Sequence, residues 1–541
     1  MIFSLIILFV VSRLGRVRDT CADFYAGDRT LTAPQNGLAL FGTFMMMTSF
    51  LALSDEVAIK GYDGVLLVAG FAVSWVVALL LVAEPLRNTG RYTLGDTLGV
   101  RLRERPVRLA AATVTLVVLF LYMTTQLVGA GHLLASLLHL DGPVGHALII
   151  ITIGAVTAVT VHTGGMRGTT WTQIINAVLL LAAVVVLAGA LLLHYRFDVG
   201  TLLGDAASPG RPREQGTASA GGPHRLEFVS QLLTSVLGHA VLPYLFIRFL
   251  AVPSAGHTRR SVSWAIWLTT PYSLLIVLIG FGATALVGPD VLRPVLGPGG
   301  TAVPLLVSEL GGVPLLAFVA SVVFTTIVAV TSGLVLSAAA GFVRDVHATL
   351  TKRGPLPERR EIALARRTVV MLCALLTCCA IALIEQNVAF MLSVAVTLVA
   401  STVLPALLFS WFWRGFNTAG ALWSMYGGGA ATIVLVVFSP AVSGDPLALF
   451  PHADFAFIPW RHVGVVSIPL AFALGYVGAA LSAERDDARY ARMEVRALTG
   501  AGAEAATPKA EPSGPAPSGI GRPPGTRRRW RSSSRRRGRP G

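Results

Sequence analysis

The chain has 541 residues, of which 54% are hydrophobic and only 13% are charged, and its mean hydropathy is +0.69. Because a soluble domain carries about 25% charged residues, this composition excludes a soluble protein and indicates an all-α polytopic membrane protein. The formal net charge of +15 lies mostly on arginines in loops and at the C-terminal end, so we expect no nucleic-acid partner. The four cysteines have neither the spacing of metal ligands nor that of a disulfide framework.

Apolar runs of about 20 residues, the length that crosses a bilayer core of about 30 Å, recur along the chain and predict about thirteen transmembrane helices. They lie near 2–12, 36–58, 64–83, 108–138, 145–162, 172–194, 228–250, 262–287, 314–346, 366–384, 387–412, 419–439 and 461–482. The first segment, 1–12, lacks the basic region and cleavage site of a signal peptide. We therefore expect it to be a transmembrane helix whose start is clipped.

The distribution of Lys and Arg predicts the orientation of these helices. The loops and helix ends on one side, together with the C-terminal tail, carry 35 of the 43 Lys and Arg residues, and the opposite loops carry seven. Positive charge is concentrated on the cytoplasmic side of membrane proteins. An odd number of spans then places the N-terminus outside the cell membrane and the C-terminus in the cytoplasm.

The C-terminal segment 485–541 is rich in Ala, Pro, Gly and Ser and ends in RRRWRSSSRRRGRPG. Such a composition cannot bury a core, so we predict a disordered basic cytoplasmic tail. Two interpretations of its basic end stay open, namely a patch that contacts anionic lipid and a solvated tail.

Two spans contain residues that interrupt helices at matching positions. The second span has Gly42 followed by Thr43, three methionines and two more hydroxyls, and the seventh has Gly238, His239 and Pro243. Interrupted helices at corresponding positions of two repeats are typical of transporter sites. Each break would lie in the first helix of a five-helix repeat. The half-helix N-terminus and the hydroxyls of Thr43, Thr48 and Ser49 are candidates for binding an anionic solute.

An acidic pair, Asp55 and Glu56, lies at the end of the second span, with Lys60 four residues after Glu56. One interpretation is a solvated pair at the mouth of an outward vestibule, with Lys60 as the i+4 partner of Glu56. The other is an outer gate that attracts cations or accepts protons. His239 leaves a similar choice between a proton relay and a neutral histidine that is hydrogen-bonded to a neighbouring helix.

Several long motifs resemble the solute:sodium symporter family, and within it the branch of bacterial acetate permeases and related monocarboxylate carriers. They are GGMRGTTWTQIINAVLLL (164–181), ADFYAGDRTLTAPQNGLAL (22–40), GYDG (61–64), AEPLRNTGRYTLGD (83–96), LVGAGHLL (127–134) and EQNVAFML (385–392). The resemblance implies a five-plus-five inverted-repeat core, with one helix before it and two after.

The resemblance places that core at 36–412, with repeat one at about 36–194, repeat two at about 228–412 and two accessory helices at 419–482. It implies cation-coupled symport of a small carboxylate, such as acetate or another short monocarboxylate, into the cell.

The resemblance also implies a sodium site. Its carbonyls would come from Gly42 and Met45, and its eighth-core-helix positions fall at Thr326, Ala329 and Val330. Family members with a clear sodium site have Ser or Thr at the last two positions, whereas Ala and Val carry no side-chain oxygen. Proton coupling through His239, or through Asp55 and Glu56, therefore stays open beside sodium coupling.

Other residues also depart from the acetate permeases. Tyr244 stands where those proteins have His, and His239 stands where they have Thr, so both are candidates for binding the solute. Arg248 is expected to snorkel at the cytoplasmic end of its span, and Trp171 and Gln173 are expected to pack at the same boundary.

Two further functions compete with carboxylate transport. One is symport of another solute, such as an amino acid, a sugar or urea, on the same fold. The other is a transport-deficient membrane sensor, which the missing hydroxyls at positions 329 and 330 would fit. The sequence contains no P-loop and no motif of a catalytic site, so we expect neither an enzyme nor a cofactor or bound metal beyond the coupling ion.

Overall fold

The computed structural model describes residues 20–138, 140, 142–207, 223–288, 292, 302–351, 356–384, 386, 388–444, 448, 450 and 452–502. Within these ranges the named elements are all helices, which confirms the prediction of an all-α protein. The first predicted helix, 1–12, and the basic end of the tail lie outside the described residues.

The helices of the first half are α1 Cys21–Ala26, α2 Ala33–Phe44, α3 Met47–Lys60, α4 Tyr62–Thr89, α5 Leu94–Gly99, α6 Glu104–Leu137, α7 Pro143–His194 and α8 Val199–Ala206. Those of the second half are α9 Pro223–Ala240, α10 Pro243–Phe249, α11 Ala255–Leu286, α12 Ala302–Leu350, α13 Glu358–Ala382, α14 Val388–Phe412, α15 Thr418–Val437, α16 Gly464–Ala480 and α17 Asp487–Thr499.

Nine spans in the described part of the chain are long and apolar enough to cross a membrane, so the predicted count of thirteen is not confirmed. The difference has structural reasons. The 52-residue helix α7 contains two predicted spans, which meet at a non-helical Gly165 with φ 45° and ψ −143°. The predicted span 36–58 is divided between α2 and α3, and α16 has only 17 residues.

Both predicted interruptions occur. Helix α2 ends where Met45 adopts a ψ of 83° and Met46 a ψ of 159°, which is three residues after the predicted Gly42. The second break lies between α9 and α10, where Leu242 is extended with a ψ of 123°. Pro243 explains this second break, because its ring excludes the helical conformation from the residue before it.

Gly42 lies inside α2 and lets two helices approach closely. A Cβ atom at this position would collide with the carbonyl oxygen of Gln173 and would lie 3.1 Å from the Cβ atom of Ala177, both on α7. Helix α7 also packs against α12. The first interruption, α7 and α12 therefore meet in one buried region.

The sequence predicts a disordered tail from residue 485 onward, but the first part of this segment is ordered. Residues 487–499 form α17, because Tyr490, Met493 and Ala497 recur at helical spacing and are buried. The Asp486 side chain accepts from the amide of Arg489 at 2.9 Å, and Gly500 ends the helix in the left-handed conformation.

Helix α17 docks on the end of α4 and on the segment before α6. The Asn88 side chain donates to the carbonyl of Ala497 at 2.8 Å, and Arg496 Nε donates to the carbonyl of Asn88 at 2.8 Å. The guanidinium of Arg101 lies 4.5 Å from the centre of the Tyr490 ring. This helix is therefore part of the folded molecule.

Candidate functional site

The interruption between α2 and α3 is enclosed by protein. Phe44, Met45 and Met46 are each 2% exposed or less. Thr43 is equally buried, but its hydroxyl donates to the carbonyl of Ala39 at 2.6 Å and so is engaged within its own helix. The side chains of Thr48 and Ser49 lie outside the described residues.

Asn176 on α7 joins two of the residues that the sequence assigned to a sodium site. Its Nδ2 atom donates to the carbonyl of Gly42 at 3.0 Å, and its Oδ1 atom lies 2.6 Å from the Thr326 hydroxyl. That hydroxyl also lies 2.8 Å from the carbonyl of Val322. Asn176 is fully buried. The structure therefore brings Gly42 and Thr326 together through one amide group.

Ala329 and Val330 are fully buried on α12. They have no side-chain oxygen, but the backbone carbonyl of Ala329 accepts from Gln173 Nε2 at 3.4 Å. Oxygen atoms in this region thus come from the carbonyl groups of Gly42 and Ala329, the Thr326 hydroxyl and the Asn176 amide. Hard cations are bound by oxygen ligands, of which carbonyl oxygens are one kind. Asn176 was missed at the sequence level, although it lies in the 164–181 motif.

The sequence predicts that Arg248 snorkels, but its side chain is buried and only 1% exposed. Its Nη2 atom donates to Gln173 Oε1, and its Nη1 atom donates to the hydroxyl of Thr170 at 2.5 Å. The carbonyl of Arg248 accepts from Asn36 Nδ2 at 3.2 Å. Within the described residues no carboxylate forms an ion pair with Arg248, so its charge has only neutral partners.

Gln173 connects these two groups of side chains. Its oxygen accepts from Arg248 and its nitrogen donates to the carbonyl of Ala329, and its side chain is fully buried among the helices. Trp171, by contrast, is 48% exposed. The polar side chains of Gln173 and Asn176 on α7 are both hydrogen-bonded. This pairing is needed because unpaired polar groups are costly inside a membrane protein.

His239 and Tyr244 lie on opposite sides of the second break. The Nδ1 atom of His239 donates to the carbonyl of Ser235 at 2.7 Å, and its ring packs 4.9 Å from Phe71 and 5.8 Å from Phe44. His239 therefore lies beside the end of α2. The Tyr244 ring packs instead against Tyr122 at 5.7 Å, so the two candidates have different neighbours.

The two acids at the end of the second predicted span make separate interactions. Lys60 Nζ lies 2.7 Å from Glu56 Oε2, which confirms the predicted i+4 pair, and Gln231 hydrogen-bonds to both side chains at 3.2 and 3.4 Å. Asp55 is only 8% exposed, so it is not a solvated acid. Its Oδ1 atom accepts from the amide of Ala302 at 3.0 Å, where an acid stabilises the start of α12.

A second group of ion pairs ties together the ends of four helices on the predicted cytoplasmic side. Arg108 lies 2.8 Å from Asp96 and 3.1 Å from the buried Asp345, and Arg344 lies 3.2 Å from Glu361. These residues come from α5, α6, α12 and α13. A small cavity of about 20 Å³ between Pro243, Ser337 and Asp345 separates the second break from this group.

The family model of the sodium:solute symporter family matches residues 24–428. Two relatives cover most of the chain. A monocarboxylic acid transporter of Corynebacterium glutamicum is 38% identical over 521 residues, which are 93% of this chain and 95% of that protein. The uncharacterized symporter YwcA of Bacillus subtilis is 37% identical over 485 residues, 89% of this chain and 93% of that protein.

Two solved structures have the same fold at low sequence identity. A substrate-bound, outward-open Na⁺-coupled sialic acid symporter has a TM-score of 0.68 at 14% identity and covers 90% of this chain and 96% of its own. Mhp1, a nucleobase-cation-symport-1 family transporter, has a TM-score of 0.53 at 15% identity and covers 87% and 97%. The relatives and structural neighbours are transporters and not enzymes. The chain therefore belongs to the sodium:solute symporter family.

Proposed function

We propose that this protein is a cation-coupled symporter that carries a short monocarboxylate, such as acetate, into the cell. The observation that carries this proposal is the 38% identity, over 93% of the chain, to the monocarboxylic acid transporter of Corynebacterium glutamicum.

Sodium is the coupling ion that we favour. Part of its ligand set would come from the carbonyls of Gly42 and Met45 and from the Thr326 hydroxyl. The site would lie beside the break between α2 and α3. The Asn176 Oδ1 atom, 2.6 Å from the Thr326 hydroxyl, would supply an oxygen that Ala329 and Val330 do not provide. Sodium binding would need a small rearrangement, because Asn176 Nδ2 now donates to the Gly42 carbonyl.

The carboxylate would bind at the N-terminal end of α3, where unpaired backbone N–H groups and the helix dipole favour an anion. Thr48 and Ser49 belong to this end, and His239 lies beside the same break. Tyr244 is a second candidate from the other interrupted helix. The engaged hydroxyl of Thr43 makes Thr43 the weaker member of this set. Arg248 adds a buried positive charge that has no acidic partner among the described residues.

The proposed topology follows the family. Residues 36–412 would form two inverted repeats, and 419–482 would form two accessory helices. The N-terminus would lie outside the cell membrane and the C-terminus in the cytoplasm, as the distribution of Lys and Arg predicts. Protease access to epitope tags placed at either end, in right-side-out and inside-out vesicles, tests this orientation.

The proposed function is tested by uptake of labelled acetate into proteoliposomes that contain the purified protein, under an imposed sodium gradient or an imposed pH gradient. Empty liposomes control for the permeation of acetic acid, and unlabelled pyruvate and propionate test competition. Sodium-driven uptake that both acids reduce is the expected result.

Two other outcomes would change the assignment. Uptake driven only by the pH gradient would contradict sodium coupling, and His239→Gln would then be the first variant to examine. Absence of protein-dependent acetate uptake under both gradients would contradict the monocarboxylate assignment. Amino acids, sugars and urea would then be tested as solutes in the same vesicles.

A further inference from the structure

A groove rich in arginine lies where α17 docks beside the start of α6, away from the interrupted helices. Its volume is about 760 Å³, and it is lined by Arg103 and Arg105 before and at the start of α6 and by Arg489, Arg492 and Arg496 on α17. The buried Met493, 1% exposed, forms part of its floor. Two separate segments of the chain therefore bring five guanidinium groups to one concave surface.

Little negative charge balances these groups. Arg103 lies 3.4 Å from Glu484, and Arg489 lies 3.1 Å from Asp486. The one acidic residue in the lining, Glu104, is paired with Arg108 at 2.9 Å.

The other three arginines have no acidic partner within the described part of the chain. Arg492 Nε donates to the carbonyl of Ala488 at 3.2 Å, and Arg496 Nε donates to that of Asn88 at 2.8 Å. These contacts orient the side chains but leave their charges uncompensated. Arg105 and Arg492 are exposed, so a soluble or lipid anion can reach them.

We propose that this groove is a binding site for the phosphate group of an anionic ligand. Arginine presents several N–H donors in a planar fork that matches phosphate oxygens, and clustered guanidinium groups raise the local concentration of anions. The phosphate can belong to the headgroup of an anionic phospholipid, because α6 is one of the helices that can cross a membrane, or to a soluble phosphate compound. This inference does not depend on which solute the transport core carries.

The test uses the purified, delipidated full-length chain. Native mass spectrometry measures binding of phosphatidylglycerol, with phosphatidylcholine of the same acyl chains as the uncharged comparison. Inorganic phosphate and glycerol 3-phosphate are then added as competitors. The groove variant is Arg105→Gln with Arg492→Gln. The control variant is Arg359→Gln with Arg360→Gln, which removes the same charge from two exposed residues of α13.

The wild-type chain is expected to bind phosphatidylglycerol at least about tenfold more tightly than phosphatidylcholine, since several arginines near the membrane surface together attract an anionic lipid. The groove variant should lose this preference and the control variant should keep it. Equal behaviour of the two variants, or no preference in the wild-type chain, would overturn the proposal. Equal unfolding temperatures without ligand verify that both variants are folded.

The competitors identify the source of the phosphate. Retention of phosphatidylglycerol in the presence of millimolar inorganic phosphate and glycerol 3-phosphate would assign the groove to a lipid headgroup. Displacement by these compounds from the wild-type chain, with no effect on the groove variant, would assign it to a soluble phosphate ligand.

Discussion

Asn176 joins the Gly42 carbonyl to the Thr326 hydroxyl through the two ends of one amide group. The family resemblance implies a sodium site at Gly42, Met45 and Thr326, whereas Ala329 and Val330 carry no side-chain oxygen. Asn176 comes from a third helix, and its Oδ1 atom lies 2.6 Å from the Thr326 hydroxyl. Such a residue cannot be found by spacing along α12, because it comes close only when α7 packs against α12.

Thr326→Val tests this arrangement, because it removes one oxygen atom and keeps the shape of the side chain. We expect the sodium concentration for half-maximal uptake to rise about tenfold, since a lost hydrogen-bonding partner in a buried site is worth about 1–3 kcal/mol. Thr325→Val is the matched control, because the Thr325 hydroxyl donates to the carbonyl of Ser321 at 2.9 Å. An unchanged sodium dependence in Thr326→Val would remove Thr326 from the site.

Arg248 is buried against Gln173 and Thr170 without an ion-pair partner in the described residues. We expect Arg248→Gln to raise the KM for acetate about tenfold, because the loss of a charge-assisted interaction weakens binding of an anion. The unfolding temperature should not fall, since removing an uncompensated buried charge relieves its desolvation.

Arg248→Lys keeps the charge and serves as the comparison for Arg248→Gln. It should have an intermediate KM, because Lys lacks the planar fork of Arg. Equal KM values in wild type and Arg248→Gln would show that the charge has no part in binding the carboxylate.

At the scale of single helices, Gly42 sets the distance between α2 and α7. We expect Gly42→Ala to destabilise the protein by about 1–3 kcal/mol, as overpacking does, because the new methyl group would collide with the carbonyl of Gln173. Uptake should fall with it, since Asn176 lies one turn further along α7. Gly189→Ala is the control, because nothing lies within 4 Å of a Cβ atom there. Equal unfolding temperatures of the two variants would contradict this account.

An ion pair lies at the start of helix α17. Arg414 contacts Asp487 at 2.9 and 2.7 Å, and the hydrogen bond from Arg414 holds the pKa of Asp487 below its usual range. A lowered carboxyl pKa stabilises the docked helix above the ordinary pKa of aspartate, and the contribution is lost as the pH falls through the lowered value. We expect Asp487→Asn to accelerate hydrogen exchange in 487–499 at neutral pH.

High salt should reduce the difference between wild type and Asp487→Asn, because both side chains of the pair are exposed and salt screens exposed charges. Asp205→Asn, a change on the distant exposed helix α8, is the control. Identical exchange in wild type and Asp487→Asn would show that Asn88 and the buried face of α17 suffice for docking.

The sequence predicts elements well where a local cause exists and poorly where packing decides. Pro243 predicts the second break directly, whereas the first break lies at Met45 and Met46, which have no intrinsic tendency to end a helix. Helix α17 is short, amphipathic and followed by a segment of low complexity, so its composition resembles that of a tail. Arg248 near the end of an apolar run resembles a snorkelling residue, and only the short helix α10 directs it inward.

At the scale of the whole molecule, two sets of contacts lie between the interrupted helix and the predicted cytoplasmic side. Gln173 and Asn176 connect the interrupted helix to α12, and the ion pairs of Arg108 connect α12 to α5 and α6. The small cavity beside Pro243 and Ser337 lies between them. Transport by alternating access requires such contacts to separate when the inner side opens.

We therefore expect Asp345→Asn to favour the inward-open state, because it removes the buried negative charge that pairs with Arg108 at 3.1 Å, while the amide oxygen can still accept from the Thr93 hydroxyl. The measurement is maleimide labelling of Ser337→Cys, in a background whose four native cysteines are replaced by alanine. Ser337 is 8% exposed, so its labelling reports opening of the cavity. Labelling in inside-out vesicles should become several-fold faster when Asp345→Asn is added.

Arg414→Gln is the matched control, because it breaks an exposed ion pair on the same predicted side and should leave the labelling rate unchanged. Sodium should slow labelling in both backgrounds if its binding stabilises the outward-facing state, since a ligand shifts a conformational equilibrium only by its difference in affinity for the two states. Equal labelling with and without Asp345→Asn would mean that the ion pairs of Arg108 do not restrain the inner end, and that packing of Pro243 against α12 closes it instead.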